Sequence, residues 1–394
     1  MSLTGCTGDE SPSSSASPKP ATRTAHPVFS QKLDRQLFLA VRETQKAGNA
    51  SFVQKLTFVS KKGDVQQKMS GELDFAGGRG RTTMTWSIPA GTRGSVRRSV
   101  LGTTPGRGYG EPVGRYLVDR QDIHYRGGDA GYWLRYTDAD SDATPGDGPV
   151  DHMRGTESPI GGSLLEGITG STATAQRAAD GGRTYQGEMP LSALWHILPP
   201  DLEGLSRETY TSPQRKTLPL TVTVDRNGRV THARADLTGT IRMDSSFSDF
   251  TSVTMDLTLT RYGTSKPTMT PGAPVRLASS SVADIAKIAP GACIDFATGR
   301  REGRLVVTVP CSAPHDGRVF AQADLTPGKD DTATNERADV ACRRARNLVP
   351  QSWISDANEP GTYWRWWTKP ESGTDSTLVA TCYVITRPDA DRRR

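Results

Sequence analysis

A strict alternation of apolar and polar residues in two segments constrains this fold more than any other feature. In TLPLTVTV, at residues 217–224, every second side chain is apolar, and the same holds for VTMDLTLT at 253–260. A period of two is the period of a β-strand whose faces differ, and Asn227-Gly228 supplies a turn after the first segment. The sequence therefore predicts an antiparallel sheet with one apolar and one solvated face. The apolar positions are Leu218, Leu220, Val222, Val224, Val253, Met255, Leu257 and Leu259.

Further elements precede these two strands. Apolar residues recur at helical spacing from Leu33 to Thr44, and Gly48 follows as a terminator, so one amphipathic helix is predicted there. Shorter alternating segments separated by glycine-rich turns are typical of strands, and they lie at 51–60, 65–75, 80–88, 114–119, 122–126 and 132–136. The apolar stretches at 163–168 and 191–198 predict short helices that cover the apolar face of the sheet.

The length of 394 residues suggests two or three folding units. A segment rich in proline, threonine and serine at 263–281 predicts a linker between two of them.

No apolar stretch approaches the ~20 residues needed to span a bilayer. The formal charge of +6 is mild, so no nucleic-acid partner is expected. Residues 388–394 end in three arginines and are expected to form a solvated basic tail.

Leu3, Thr4, Gly5 and Cys6 resemble a bacterial lipobox, in which the cysteine carries the lipid anchor of a mature lipoprotein. The serine- and proline-rich residues that follow have too little apolar surface to fold, so 1–27 is expected to comprise the lipobox and a disordered tether. Only two residues precede the box, so the signal peptide is incomplete as written and we expect a longer leader in the precursor. The motif predicts a chain anchored to the extracytoplasmic face of the cell membrane through Cys6.

The order of these elements over 28–262, with the phrases TYQGEMPLSAL and FSDF, resembles the LolA and LppX-like lipoprotein carrier family. The resemblance implies an α+β fold in which a curved antiparallel sheet, an unclosed half-barrel, wraps short helices and holds acyl chains between them. It implies a lipid or lipoconjugate ligand. The eight alternating apolar residues named above are then the candidate groove-lining residues.

The four remaining cysteines fall in the last third of the chain: Cys293, Cys311, Cys342 and Cys382. In an exported chain this predicts disulfides, and a zinc site is disfavoured because no C-x-x-C pair is present. Three connectivities are possible. We favour Cys293 with Cys311, since RLVVTVPC can return as a hairpin partner of the CIDF strand. Cys342, in a helix predicted at 336–349, then pairs with Cys382 in the last strand.

The segment 282–387 resembles the actinobacterial septum formation domain. The matching positions are Gly291, Cys293, Val309, Pro310, Cys311, Pro314, His315, Asp316, Cys342 and Cys382. Ala292 and Ile294 depart from the pattern, which has an acid and an aromatic residue there. The resemblance implies a small disulfide-bonded α+β domain and a cell-envelope or division partner, with His315 and Asp316 as candidate contacts.

Ser312, His315 and Asp316 are the residue types of a hydrolytic triad, but they lie within one short turn, whereas a triad draws its members from separate elements. A polar turn in which Asp316 or His315 caps backbone groups is the preferred interpretation. The histidines show no metal-ligand spacing, so neither a metal nor a cofactor is expected.

The sequence thus predicts a non-enzymatic, membrane-anchored envelope lipoprotein that binds lipid or lipoconjugate in an apolar groove. One alternative is a structural or interaction lipoprotein, in which that groove is a filled core and the C-terminal module docks a partner. A weaker alternative is a cell-wall enzyme that uses the turn at His315 and Asp316.

Overall fold

The structure is a computed structural model of the chain. It describes residues 25–89, 113–128, 130–137, 153–179, 181–198, 217–241, 249–299, 305–350, 353, 364–368 and 378–385. Its helices are α1 (Leu33–Lys46), α2 (Leu164–Thr169), α3 (Leu194–Ile197), α4 (Thr238–Ile241), α5 (Ala278–Ser281) and α6 (Asp331–Arg346). Single 3₁₀ turns occur at Pro27–Ser30, Leu191–Ala193 and Ile285–Lys287.

Within the described ranges, the strands form two sheets. The strands of the larger sheet are β1 (Asn49–Ser60), β2 (Val65–Asp74), β3 (Arg79–Ser87), β4 (Gly114–Val118), β5 (Asp122–Gly127), β6 (Trp133–Thr137), β7 (Thr172–Ala179), β8 (Gly182–Pro190), β9 (Thr217–Val224), β10 (Val230–Asp236), β11 (Phe250–Thr260) and β12 (Val275–Leu277). Their order is β12-β6-β5-β4-β3-β2-β1-β11-β10-β9-β8-β7. All neighbours are antiparallel except β12 with β6. The chain is α+β with a large, curved, open sheet and short helices, which confirms the predicted fold class.

Burial alternates along the strands of the larger sheet, as the sequence pattern predicts. The eight apolar residues of β9 and β11 are at most 2% exposed, while the threonines between them lie on the other face. They belong to one large apolar cluster that also contains side chains from α1, α2 and α3. We call the buried side of this sheet the inner face.

Helix α1 is fixed on the inner face by polar contacts as well as by apolar burial. Its buried apolar side chains are Leu37, Ala40 and Val41. The Tyr185 hydroxyl donates to Oε1 of Gln36 at 2.7 Å, and the Val230 backbone N–H donates to Oγ1 of Thr44 at 2.9 Å. Burial raises the pKa of Tyr185 to about 12, so this hydroxyl remains a donor at neutral pH. The helix ends before Gly48, whose φ of 83° is a left-handed conformation that suits glycine.

The smaller sheet contains β13 (Val282–Asp284), β14 (Cys293–Asp295), β15 (Leu305–Val309), β16 (Gly317–Leu325), β17 (Trp364–Thr368) and β18 (Leu378–Ile385). Their order is β13-β15-β14-β16-β18-β17, and α6 packs against β16 and β18. Helix α6 begins earlier than the sequence pattern indicates, because the side chain of Asp330 caps it by accepting from the Ala333 N–H at 2.8 Å.

Both disulfides are present in the connectivity that the sequence analysis favours. Cys293 pairs with Cys311 at a Cα–Cα distance of 5.2 Å, and Cys342 pairs with Cys382 at 5.4 Å. The predicted hairpin is also present, since Cys293 lies opposite Val309 in the antiparallel pair β14–β15. Disulfides of this kind are typical of proteins that fold outside the reducing cytosol.

The two sheets are packed together. Cys293, Val307 and Val309 of the smaller sheet belong to the same apolar cluster as the inner face of the larger one. The Tyr132 hydroxyl donates to Oδ2 of the buried Asp295 at 2.9 Å, and the Arg276 guanidinium lies 4.3 Å from the centre of the Tyr132 ring. The connection is therefore both apolar and polar.

Part of the segment at 263–281, which the sequence predicts as a linker, has regular structure. Residues 275–277 form β12, which pairs in parallel with β6, and α5 follows directly and leads into β13 of the smaller sheet. The chain thus passes from one sheet to the other through a four-residue helix.

We expect Tyr132→Phe to lower the free energy of unfolding by about 1–3 kcal/mol, because the buried Asp295 carboxylate loses a hydrogen-bond donor. Burial, followed by the nearby Asp295 charge, raises the pKa of Tyr132 above its ordinary value of 10.0. Because the folded-state pKa is raised, the stabilisation by the protonated Tyr132 hydroxyl is complete below pH 10. It becomes progressively smaller as the pH rises above 10, where tyrosine in the unfolded chain ionises. Urea unfolding of the parent and of the Tyr132→Phe variant at pH 7 and at pH 11 tests this. An equal difference in unfolding free energy between the two proteins at both pH values would contradict it.

We expect the double variant Cys342→Ala/Cys382→Ala to lose up to about 4 kcal/mol of unfolding free energy, and Cys293→Ala/Cys311→Ala up to about 3 kcal/mol. The first bond closes the longer loop, with a sequence separation of 40 against 18. Urea unfolding of the two variants beside the oxidised parent measures the difference. Unchanged midpoints in both would show that neither bond constrains the unfolded chain.

Candidate functional site

The inner face of the larger sheet has two halves that differ in composition. Helices α1 and α2 make their main strand contacts with β7, β8, β10 and β11. The eight apolar residues predicted to line a groove lie on β9 and β11 of that half, and they belong to the same apolar cluster as side chains of α1, α2 and α3. The eight residues are buried, but their role as groove lining stays a prediction.

The other half, formed by β2 to β5, presents methionine and aromatic side chains. Met69 lies directly opposite Met84 in the β2–β3 pair, and Tyr116 lies opposite Tyr125 in the β4–β5 pair, with ring centres 5.1 Å apart. Trp86 completes this group, and all five side chains are at most 7% exposed. Methionine is flexible and polarisable and aromatic rings are flat, so such a surface adapts to different apolar shapes. We call these five residues the methionine–aromatic patch.

A buried amide lies in the same half of the inner face. Gln67 is 2% exposed and faces Trp86 across the β2–β3 pair. Its Nε2 donates to the Sδ of Met84 at 3.0 Å, and a thioether is a weak acceptor. Thr82 of β3 is a second buried polar side chain on this face, at 1% exposed. Ligand pockets use a few polar groups on a mostly apolar surface to fix the orientation of what they bind.

A cleft of about 380 Å³ opens at one end of the larger sheet. Four separate parts of the chain meet there: the end of α1, the β2–β3 turn, the β4–β5 turn and the segment at 153–162 that precedes α2. The cleft is lined by Gln45, Phe75, Ala76, Gly78, Asp119, Arg120, Arg154, Gly155, Thr156, Glu157, Ser158 and Pro159. Because these residues are distant in sequence, spacing and motif analysis did not identify them.

One carboxylate holds the wall of the cleft in place. Glu166, in the first turn of α2, accepts from the backbone N–H groups of Glu157 and Ser158, each at 2.9 Å, and from the Thr156 hydroxyl at 2.6 Å. Gly155 is required beside it, because a β-carbon there would overlap both Oε1 of Glu166 and the Ser158 carbonyl oxygen. The segment therefore has a defined conformation.

The acidic side chains in the cleft are engaged by neighbouring groups. Glu157 pairs with Arg42 at 3.1 Å and accepts from Nε2 of Gln45 at 2.9 Å. The Asp119 carboxylate accepts from the backbone N–H groups of Gln121 and Asp122 at 2.9 and 2.7 Å. Two arginines, Arg120 and Arg154, also line the cleft.

The turn that contains His315 and Asp316 is held by backbone contacts. Asp316 is 2% exposed, and its Oδ2 accepts from the Phe296 N–H at 2.9 Å. Nδ1 of His315 lies 2.8 Å from the Ala313 carbonyl oxygen, while Ser312 is exposed. This is the capping role that the sequence analysis preferred for Asp316. A partner-binding role for the two residues stays a prediction.

Several predictions concern other parts of the chain. Cys6, the tether to residue 24 and the basic tail lie outside the described residues. In the ranges that the structure describes, no group of three or more histidine, cysteine or acidic side chains could hold a metal ion. The helices of these same ranges are all too short or too polar to cross a membrane.

No protein-family model matches this chain, and no curated protein matches it. Solved structures give distant likenesses. The lipoprotein LppX of Mycobacterium tuberculosis is 14% identical over 59% of this chain and 98% of its own, with a TM-score of 0.28. The complex of MucA and MucB from Pseudomonas aeruginosa matches at 8% identity over 90% of this chain and 96% of that one, with a TM-score of 0.24.

An uncharacterised conserved protein of Thermus thermophilus is 6% identical over 61% of this chain and 97% of its own, with a TM-score of 0.26. Identities and scores this low assign neither a family nor a function to the chain. The fold class rests on the sheet order and registers described above.

We expect Glu166→Gln to loosen the cleft wall, because the charge-assisted hydrogen bonds to the N–H groups of Glu157 and Ser158 become neutral ones. Amide hydrogen exchange at 153–162 should become faster, with a loss of stability of about 1–2 kcal/mol. Glu188→Gln is the control, since it removes an exposed carboxylate from β8. Equal exchange rates in the two variants would show that Glu166 does not order this segment.

Proposed function

We propose that this chain is a non-enzymatic binding protein of the bacterial cell envelope that holds a lipid or lipoconjugate against the β2–β5 half of its inner face. The methionine–aromatic patch is the observation that carries the proposal. The resemblance of 28–262 to the LolA and LppX-like carriers supports it, as do two disulfides suited to an extracytoplasmic location. Anchoring through Cys6 completes the proposal.

The proposed mechanism is the transfer of acyl chains from water or membrane to an apolar surface. Each buried methylene contributes about 0.8 kcal/mol to the binding free energy, so burying even part of an acyl chain gives appreciable affinity. The Gln67 amide would donate a hydrogen bond to an ester or amide carbonyl at the point where the acyl chains meet the headgroup. It could also accept one from an amide N–H there. Its present acceptor, the sulfur of Met84, is weak enough to be exchanged for a ligand oxygen.

A second candidate function is that of a structural or interaction lipoprotein. The burial of the eight apolar residues of β9 and β11, in one cluster with side chains of α1, α2 and α3, supports it, because side chains buried in this way can form a core without a ligand. The C-terminal module would then contact an envelope or septum partner, as its resemblance to the septum formation domain implies. A cell-wall enzyme has less support, because the backbone contact of Asp316 accounts for the turn at His315 without catalysis.

The experiment is native mass spectrometry of the full chain recovered from a bacterial envelope, followed by organic extraction. Lipid that organic extraction releases reproducibly from the chain would support the carrier, since a covalent anchor on Cys6 is not extracted. A chain from which extraction releases no lipid would reject the carrier in favour of the interaction protein.

A matched pair of variants locates the ligand. Met69→Leu/Met84→Leu changes the shape of the methionine–aromatic patch, while Met255→Leu makes one methionine-to-leucine change on the half of the inner face that α1 and α2 contact. Each substitution conserves volume and should cost less than about 1.5 kcal/mol. We expect adduct occupancy to fall at least about threefold in the first variant only. Equal occupancy in both would place the ligand elsewhere.

A further inference from the structure

We propose that the free edge of β7 binds an extended segment of another protein, which joins the larger sheet as a further strand and places an acidic side chain opposite Arg177. Strand β7 is the last strand in the order of that sheet and has β8 as its neighbour on one side. This proposal goes beyond the carrier function and does not depend on a lipid at the inner face.

The two edges of the larger sheet differ in how well they are protected against pairing. The edge strand β12 has three residues and follows Pro274 directly. Short edge strands and prolines are devices by which proteins keep other chains from pairing with a sheet. Strand β7 has eight residues and contains neither proline nor lysine. The edge at β7 is therefore the more open of the two.

The backbone of β7 keeps hydrogen-bonding groups on its free edge. Within the described part of the chain, residues 172–179 pair with β8, and no backbone hydrogen bond joins them to any other segment. Ala175, Gln176, Arg177 and Ala178 are all exposed. In an edge strand every second residue directs its N–H and C=O groups away from the sheet. An extended backbone is the partner that satisfies such a row of groups in series.

The side chain of Arg177 gives this edge a preference for an acid. Arg177 lies opposite Thr184 of β8, and its diagonal neighbour Gln186 is also uncharged. The acid of β8, Glu188, lies opposite Thr172 at the far end of the strand. Among the described residues, the Arg177 side chain has no ion pair or hydrogen bond. Opposite charges directly across an antiparallel pair stabilise it and like charges destabilise it, so an acid is preferred there.

The other face of the added strand should be apolar. Gln176 lies opposite Tyr185, whose hydroxyl bonds to Gln36 of α1, so this face of β7 is on the side of the helix. Helix α1 also contacts β7 itself. Leu39 follows Gln36 by three residues and lies on the same flank of α1, where it is only partly buried. Apolar side chains on a strand beside β7 would cover more of Leu39.

A second copy of this chain fits the same edge less well than a different protein does. If two β7 edges pair about a two-fold axis at Arg177, the two arginines lie opposite each other, which is unfavourable. An axis at Gln176 brings the register shift between Ala173 and Ala175 into the pairing. An axis at Ala178 leaves only the end of the strand to pair. A segment with a central acid avoids all three difficulties.

Fluorescence anisotropy of the full chain with labelled synthetic peptides of about nine residues tests the proposal. The peptides alternate valine and threonine, and they carry glutamate or lysine as the central residue on the threonine face. We expect the glutamate peptide to bind about fivefold more tightly than the lysine peptide, and Arg177→Glu to reverse this order. Arg81→Glu is the control, since it changes an exposed arginine on β3 and should leave the order unchanged.

Amide hydrogen exchange locates the bound peptide. Exchange at 175–178 should become slower with the glutamate peptide, and it should not change with a version in which proline replaces the valines, because proline has no N–H to donate.

Three results would overturn the proposal: no saturable binding of either peptide, binding that leaves exchange in β7 unchanged, or an order of affinities that Arg177→Glu does not alter. Dimers of the full chain that protect 175–178 without peptide, seen by analytical ultracentrifugation and hydrogen exchange, would also overturn it and assign the edge to a second copy. Lipid extraction is scored separately, so either this proposal or the carrier function can fail while the other holds.

Discussion

The pairing of β1 with β11 is the contact on which the rest of the larger sheet depends. Strand β1 pairs with β2 on one side and with β11 on the other, in a register that runs from Ser51 opposite Thr260 to Val59 opposite Ser252. It joins two runs of antiparallel neighbours, β2 to β6 and β7 to β11, into one sheet. The two strands are about two hundred residues apart in sequence, so pairing them costs more loop-closure entropy than forming the hairpins on either side, and we expect the pair to form late in folding.

The joined sheet divides its inner face between two kinds of packing. Where α1 and α2 lie on β7 to β11, most of the buried side chains are aliphatic, and the polar contacts of Gln36 and Thr44 fix the position of α1. Where β2 to β5 lie, the five side chains of the methionine–aromatic patch are flexible or flat, and the amide of Gln67 lies among them. One strand, β1, connects the two halves.

The sequence predicted most local structure and little of what lies between elements. The alternation in 217–224 and 253–260 identified strands and their buried faces, because the residues of a half-buried strand alternate between an apolar and a solvated environment. Cysteine spacing and the hairpin at Cys293 gave the disulfide pairs. The cleft was missed because its wall depends on Glu166, whose contacts with Thr156, Glu157 and Ser158 leave no periodic signal. Strand β12 was missed because its three residues lie in a segment whose composition is typical of a linker.

Strand β12 also bears on how this protein can be divided. A fragment that ended at residue 262, where the composition changes, would lack the strand that hydrogen-bonds to β6 and would lose the Arg276 side chain from the ring of Tyr132. The backbone of β6 would become a free edge next to Trp133, and an unprotected edge of this kind is a starting point for aggregation. A fragment intended to represent the larger sheet alone should therefore extend at least to Leu277.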